Sequence, residues 1–506
     1  MSFTTQTFLF VFFPICIICY YITEALEKEK HIFLIIKKIR IKDIVLIIFS
    51  MGFYMWTCFD DVFRFMIYMI CIYMAGKMIE KRRSGKFFLL YENSEEIISN
   101  QKEQYKKISW ALPVLVVSVI SVVFCLVYFK YTYILTDIWN FLFRREMVAQ
   151  SYLAPLGISF ITFSAISYLV DIYRGDEEAG SFIDCTLYLS FFPKVVSGPV
   201  VLWKDFKNQI SVRVWNLDKA VHSLNRIMLG FAKKLILADQ FGSFIASVLF
   251  YEGSMDALTA FGTMFAYMLQ IYFDFSGYSD IAIGLAGLFG FEFKENFNFP
   301  YCSKSISEFW RRWHISLGTW FREYVYIPLG GSRCGKIKTI RNQAIVFLLT
   351  GIWHGAGWNY LLWGGINGIF VIIEKLIAKK KIYQKTPNII KWFVTMTITF
   401  IAWQFFRFQD IADLKLCFEN LFSQYSLINL PYTWEYYFDA RILCLMSVGT
   451  IGSTLFGWKK LSMWCKKVTS SKEGFLLQEI VIFLLFLIAI LCMVNSTYSP
   501  FIYFQY

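Results

Sequence analysis

Apolar runs separated by short charged stretches repeat along the whole chain, at 6–24, 43–58, 62–76, 109–129, 154–173, 183–202, 223–250, 256–273, 279–291, 341–353, 358–377, 391–408, 440–457 and 476–495. Crossing a bilayer as a helix takes about 20 apolar residues. Several runs are too short for that, and glycine or proline interrupts them. Such runs predict half-helices or re-entrant segments, which are tolerated at membrane depth only when buried in protein or lining a cavity. The pattern predicts an all-α polytopic membrane protein. Composition agrees: 57% of the 506 residues are hydrophobic, 20% aromatic and 17% charged, with a mean hydropathy of +0.50, where a soluble chain carries about 25% charged residues.

The formal net charge of +13 comes from lysine and arginine clustered between apolar runs, the distribution expected of cytoplasmic loops. Nucleic acid is excluded as a partner on that ground, and membrane lipid is implied. Residues 25–42 are basic whereas Asp60 and Asp61 follow the next run, so the N-terminus is expected outside. The polar segment 77–107 reads as a cytoplasmic connection with a short surface helix, and 336–341, 375–385 and 459–472 read as further basic loops. The first run lacks a positive leader and a small-residue cleavage site, so it is expected to be a span that is not removed. Twelve cysteines are scattered, mostly in apolar runs, and imply no disulfide framework. The lone Cys-X-X-Cys, Cys16 to Cys19, reads as lipid-facing or packed thiols, with a metal or redox role the lesser alternative.

Three apolar stretches carry unusual residues. Tyr152–Gly175 has a Pro-X-Gly entry and small residues that permit close helix approach. Phe191–Val200, FFPKVVSGPV, cannot be one uninterrupted helix. In Gln270–Tyr301, Asp274 and Asp280 interrupt apolar sequence at a cost of about 2.5–3.5 kcal/mol each at the bilayer centre. Pairing with arginine or backbone donors around a broken helix is the preferred reading, with direct chemistry the alternative. Asn296 and Asn298 read as caps or turns, and Asn296 is also a candidate substrate contact.

Residues 308–360 hold two of the four histidines, His314 and His354, each preceded by a tryptophan, Trp313 and Trp353. Ionisable groups in apolar runs are costly and are functional candidates. Ser307 is expected to cap a helix from Glu308, with Trp310, His314, Leu317 and Phe321 on one face and Arg311 and Arg312 turned away. The arginines suit an anionic thiol carrier or, equally, lipid head groups. Pro328–Gly331 is a turn, not a phosphate cradle. The run 343–353 ends at Trp353-His354-Gly355-Ala356-Gly357, where the helix is expected to break. A membrane histidine is ordinarily an interhelical hydrogen-bonder. The break and the second histidine argue for a catalytic His354.

Acyl transfer from a thioester to a hydroxyl requires a base for the hydroxyl proton, and neutral imidazole suits that step. Polar groups nearby, His314 or backbone N–H groups, would stabilise the oxyanion. There is no Gly-X-Ser-X-Gly elbow and no His-Glu-X-X-His pair, so neither a serine nucleophile nor a metal is expected.

The stretches EFWRRWHISLGTWFREYVYIPLGGSR, LLTGIWHGAGWNYLLWG, QIYFDFSGYSDIAIGLAGLFGF, PLGISFITFSAISYLVDIYRG and FFPKVVSGPV closely resemble the membrane-bound O-acyltransferase family, in particular its bacterial alginate O-acetyltransferase branch. The resemblance runs from about Phe8 to Phe370, and the tail beyond Lys375 matches in hydropathy alone. Gly318 and Glu323 depart from the serine and aspartate frequent in relatives. The resemblance implies a ring of transmembrane and re-entrant helices around a central tunnel, and a single membrane domain over 1–506. Its motif-bearing core covers about 150–375, with peripheral helices at 1–145 and 390–500. It implies a catalytic histidine at His354 and a second functional one at His314. Trp310, Arg311, Arg312, Trp353, Asp274, Asp280 and Asn296 are the candidate substrate contacts. No permanent cofactor is expected. The donor would be a cytoplasmic acyl thioester, acetyl-CoA or an acyl carrier, and the acyl group would leave on the outer face of the cytoplasmic membrane. There a partner of the SGNH-hydrolase type would modify an exported polysaccharide or cell-wall glycan. D-alanyl transfer to teichoic acid and a proton-coupled transporter or flippase are the competing readings.

Overall fold

The structure, a computed structural model, describes residues 2–28, 40–83, 94–148, 154–213, 216–249, 255–355, 357–408, 410–422, 432–495 and 501. Most of the first basic stretch, 29–39, and part of the polar segment, 84–93, lie outside the described residues. The chain divides into two units, 1–217 with 286–293, and 218–285 with 294–506.

The first unit runs through α1 (Phe13–Lys28), α2 (Ile41–Thr57), α3 (Val62–Arg83), α4 (Ser94–Phe143), α5 (Ile158–Arg174), α6 (Phe182–Ser190), α7 (Phe192–Val195) and α8 (Trp203–Ile210). The short surface helix expected before 109 is instead the start of α4, which continues unbroken through Pro113. Glycines in left-handed conformation, Gly157 and Gly175, bound α5, as the Pro-X-Gly entry predicts. In α6 a capping box joins Ser181 and Asp184, and Asp184 also takes Arg40 and Lys207 at 2.8 Å each. After Ser190 the chain breaks at the expected prolines, and all of 191–202 is buried.

The second unit holds α9 (Leu217–Ala232), α10 (Asp239–Leu249), α11 (Ala257–Leu288), α12 (Ile306–Arg312), α13 (Ile315–Phe321), α14 (Lys336–His354), α15 (Trp358–Ile377), α16 (Lys381–Lys385), α17 (Asn388–Arg407), α18 (Ile411–Leu421), α19 (Trp434–Tyr437), α20 (Ala440–Thr454), α21 (Lys459–Thr469) and α22 (Lys472–Asn495). A π-helical turn, Lys233–Ala238, joins α9 to α10. The runs 256–273 and 279–291, read as separate, are one 32-residue helix, α11. Among the described residues, six segments are long and apolar enough to span a bilayer: Phe8–Glu27, Phe59–Arg83, Trp110–Phe143, Trp358–Ile377, Asn388–Arg407 and Lys472–Asn495. The protein is an all-α polytopic membrane protein.

The contact that positions the histidine turn is between α14 and α15. Three glycines let the backbones meet: a Cβ on Gly351 would stand 2.5 Å from the Tyr360 carbonyl oxygen, and one on Gly364 would stand 2.5 Å from that of Phe347. A Cβ on Gly368 would press the Phe347 side chain at 3.0 Å. Close backbone approach of this kind is the main source of cohesion between helices in lipid, where apolar burial gives no driving force.

Overpacking this seam is predicted to be destabilising. Gly364→Val should cost about 1–3 kcal/mol and lower the melting temperature of detergent-purified protein. Gly365→Ala, where a Cβ meets nothing within 4 Å, should leave it unchanged; equal melting of the two variants would show that the seam is not tight.

Candidate active site

Both motif histidines lie in the second unit, inside an aromatic cluster that includes Tyr272, Phe309, Trp313, Trp363, Trp403 and Phe406. The cluster is made by α11, α12, α15 and α17. His314 and His354 are 1% and 4% exposed.

The helical face expected to run through Trp310, His314, Leu317 and Phe321 is interrupted. Ser305, not Ser307, caps α12, accepting from the Glu308 N–H at 2.9 Å. Ser307 instead donates its backbone N–H and its hydroxyl to Glu374 at the far end of α15. The helix then stops at Arg312, and His314 adopts a left-handed conformation at φ 45° before α13 begins. For a residue with a Cβ this costs about 1–2 kcal/mol. The segment 296–298 holds it there: Ile315 N–H donates to the Asn296 carbonyl at 2.9 Å, and Asn298 N–H donates to that of Arg312 at 2.9 Å.

The same asparagine orients the His314 ring. Asn296 is fully buried, its Nδ2 donates to Ser279 Oγ at 3.0 Å, and its Oδ1 accepts from the Ser316 hydroxyl at 2.8 Å. With its amide orientation fixed, Oδ1 faces His314 Nδ1 at 3.1 Å. That contact requires the proton on Nδ1 and leaves Nε2 as the basic nitrogen. Phe275 packs edge-on to the ring at 4.6 Å.

His354 is the last residue of α14; Gly355 is extended, and α15 starts three residues further on. The break is where the glycines predict it. Trp363 of α15 and Phe406 of α17 each stand at 5.0 Å from the imidazole, nearly perpendicular to it. Trp353 stands 4.8 Å from the ring of His354 and 6.4 Å from that of His314. Two buried imidazoles thus lie within 6.4 Å of one indole, a low-dielectric setting in which imidazole can serve proton transfer.

Asp274 and Asp280 meet cations, as the preferred reading has it, and lysine shares the task with arginine. Lys234, 1% exposed, bridges Asp239 and Asp274 at 2.7 Å each. Asp280 takes Lys233 at 2.6 Å and Arg226 at 2.8 Å, and Arg226 also meets Glu295. The π-turn widens the helix just where the consecutive lysines must both reach α11. Nothing here breaks α11, because each carboxylate is neutralised where it lies.

The structure therefore brings together His314, His354, Trp353, Trp310 and Asn296. Trp310 donates its indole N–H to Asn367 Oδ1 at 3.1 Å and packs at 5.5 Å on Trp363. Arg311 is exposed, and Arg312 is spent on Glu308 and the Asn298 carbonyl. Asp274 and Asp280 brace α11 beside Phe275 and Ser279 and are held in ion pairs. Sequence reasoning missed Ser279, Ser316, Trp363, Asn367, Glu374 and Phe406. Of these, Asn367 and Glu374 carried a signal, as polar residues inside the apolar run 358–377.

Comparison with known proteins places this geometry in context. The model of the MBOAT, membrane-bound O-acyltransferase, family matches residues 98–409. The chain is similar to the probable alginate O-acetylase AlgI of Pseudomonas aeruginosa, 34% identical over 84% of this chain and 75% of that protein. It is similar to the peptidoglycan O-acetyltransferase of Helicobacter pylori, 30% identical over 82% and 78%. It is also similar to the teichoic acid D-alanyltransferase of Streptococcus thermophilus, 34% identical over 47% and 60%.

Two outcomes are predicted. Lys234→Met strands a buried carboxylate and should cost about 3–5 kcal/mol, read as a lower melting temperature; adding Asp274→Asn should recover part of it, and no recovery would mean the pair is not coupled. Asn296→Leu should lower turnover about tenfold or more by releasing the His314 ring, whereas Asn296→Asp, which still accepts from Nδ1, should lower it less. Equal losses would show that ring orientation is not what Asn296 supplies.

Proposed function

This chain belongs to the membrane-bound O-acyltransferase family, and from that premise we propose that it moves an acetyl group from a cytoplasmic thioester to the outer face of the cell membrane, with His354 as general base. That the protein is a membrane acyltransferase follows from its family and relatives. The observation that carries the finer reading is the pair of buried imidazoles that both contact Trp353, near the end of a helix that begins in a basic stretch.

Sidedness supports this route. Three packed helices, α14, α15 and α17, run in alternating directions, with the basic stretches 336–341 and 375–385 at one common end. By the positive-inside rule that end is cytoplasmic. The 19 residues of α14 carry the chain about 28 Å from it, so His354 lies toward the opposite face. A thioester arriving from the cytoplasm meets an acceptor arriving from outside, as a tunnel within a single acyltransferase domain allows.

In the reaction the acceptor hydroxyl oxygen attacks the thioester carbonyl carbon as His354 takes the hydroxyl proton. The carbon–sulfur bond then breaks, and the imidazolium returns that proton to the leaving thiolate. The products are an ester and a free thiol. His314, its Nδ1 held by Asn296, presents Nε2 as the second proton-transfer or orienting group. Trp310 and Trp353 wall the acyl group, and the exposed Arg311 of α12 meets the anionic donor, Arg312 being held by Glu308. The final acceptor is an exported polysaccharide or cell-wall glycan, reached through an SGNH-type partner. D-alanyl transfer is the second reading; the acetylating relatives align over far more of this chain, which favours acetyl. The transporter reading is set aside by family membership.

The test is the O-acetyl content of the polymer secreted by cells carrying His354→Ala or His314→Ala, with membrane levels of each variant checked by blotting. His354→Ala should reduce acetylation about 10²–10⁴-fold, and His314→Ala should reduce it strongly. Wild-type acetylation in His354→Ala cells would end the proposal, and D-alanyl ester in place of acetyl would establish the second reading.

A further inference from the structure

The turn that follows His354 leads directly into the first turn of α15, a helix of 20 residues. The opening N–H groups of a helix have no partner within it, and that end carries partial positive charge. The start of α15 is packed on the end of α14. A Cβ on Gly351, one turn before His354, would stand 2.5 Å from the Tyr360 carbonyl oxygen, and one on Gly355 would stand 2.2 Å from the Tyr360 ring. The positive end of α15 therefore lies against the backbone on both sides of His354.

That end also carries a buried polar side chain. Asn359, the second residue of α15, is 1% exposed, and neither its Oδ1 nor its Nδ2 has a hydrogen-bond partner among the described residues. A Cβ on Gly357 would stand 2.1 Å from Oδ1, so the amide folds back over the turn between His354 and the helix. Asn359 and Trp363, four residues apart, share a face of α15, with Cβ atoms about 5–6 Å from one another. The Trp363 ring stands 5.0 Å from the imidazole of His354. Asn367, next on the same face, has its partner in the Trp310 indole N–H at 3.1 Å. An amide buried without partners is costly where an apolar side chain would not be. Asn359 holds its place at the turn beside the imidazole in spite of that cost, and a ligand supplies the reason.

We propose that Asn359 is a further catalytic residue: its Nδ2–H, with the N–H groups that open α15, donates to the carbonyl oxygen of the acyl group and forms the oxyanion site of the transfer. The inference rests on the acyl-transfer reading. As the acceptor oxygen adds to the carbonyl carbon, the carbonyl electron pair moves onto its oxygen, and Nδ2–H stabilises that charge without giving up its proton. The pair returns to re-form the carbonyl as the carbon–sulfur bond breaks and the thiolate leaves. Donors already in place need no reorganisation, and burial strengthens their effect. The atom bound belongs to the acyl group, so the assignment holds whether the attacking hydroxyl comes from a partner protein or from a glycan.

The experiment compares wild type, Asn359→Leu and His354→Ala in two readouts: O-acetyl content of the secreted polymer at matched membrane levels, and melting temperature of the full chain purified in detergent. Asn359→Leu keeps the branched shape and removes both polar atoms. Its acetylation should fall about 10²–10³-fold, while its melting temperature equals or exceeds that of wild type, because no hydrogen bond of the resting protein is lost. Should leucine prove too large to accumulate, Asn359→Cys, no larger than asparagine and without an amide, carries both readouts. Acetylation close to wild type in the variant overturns the assignment. So does a lowered melting temperature alongside lost acetylation, which would make the amide a structural group held by buried water. Acetylation retained in His354→Ala but lost in Asn359→Leu defeats the general-base reading instead and leaves the role of Asn359 standing.

Discussion

Where α14 and α15 touch through Gly351, Gly364 and Gly368, backbone meets backbone, and every later feature of the site depends on that contact. With side chains in the seam the helices would separate, and the turn from His354 to Trp358 would lose its anchor. With glycines there, α14 ends against the first turns of α15, and Trp363 reaches the imidazole from the partner helix. Phe406 closes on the same ring from α17. A histidine at a helix end thus becomes a buried imidazole walled by aromatic rings.

A second constraint works on the other histidine. α12 and α13 are not one helix: the segment 296–298 hydrogen-bonds the backbone on both sides of His314, which is left-handed. Asn296 supplies one of those bonds and also the Oδ1 that faces Nδ1. Position and protonation are set by the same residue. Charged groups serve as braces around this core: the lysines of the π-turn and Arg226 neutralise the carboxylates of α11, so a helix of 32 residues crosses apolar surroundings without breaking.

Much of this was legible in the chain. Hydropathy located α15 to the residue, and the glycines after His354 marked the helix end. The paired tryptophan–histidine steps singled out both imidazoles. What failed did so for physical reasons. Asp274 and Asp280 read as interruptions of a helix because a sequence shows the cost of a carboxylate and not the lysine, 40 residues from Asp274, that offsets it. Ser307 looked like a cap since it precedes glutamate, but Ser305 takes that role and Ser307 turns to Glu374, a partner 67 residues distant. The face through His314 was drawn at helical spacing, whereas the clamp that breaks it comes from 296–298.

The central claim is that the His354 imidazole removes the acceptor proton in a site served from two sides of the membrane. The most direct measurement places purified protein in sealed liposomes, with labelled acetyl thioester on one side and a hydroxyl acceptor on the other, and compares wild type with His354→Gln. The account predicts ester formation across the bilayer by wild type and none above background by the variant, with thioester binding unchanged. Equal rates of ester formation by the two proteins would contradict it.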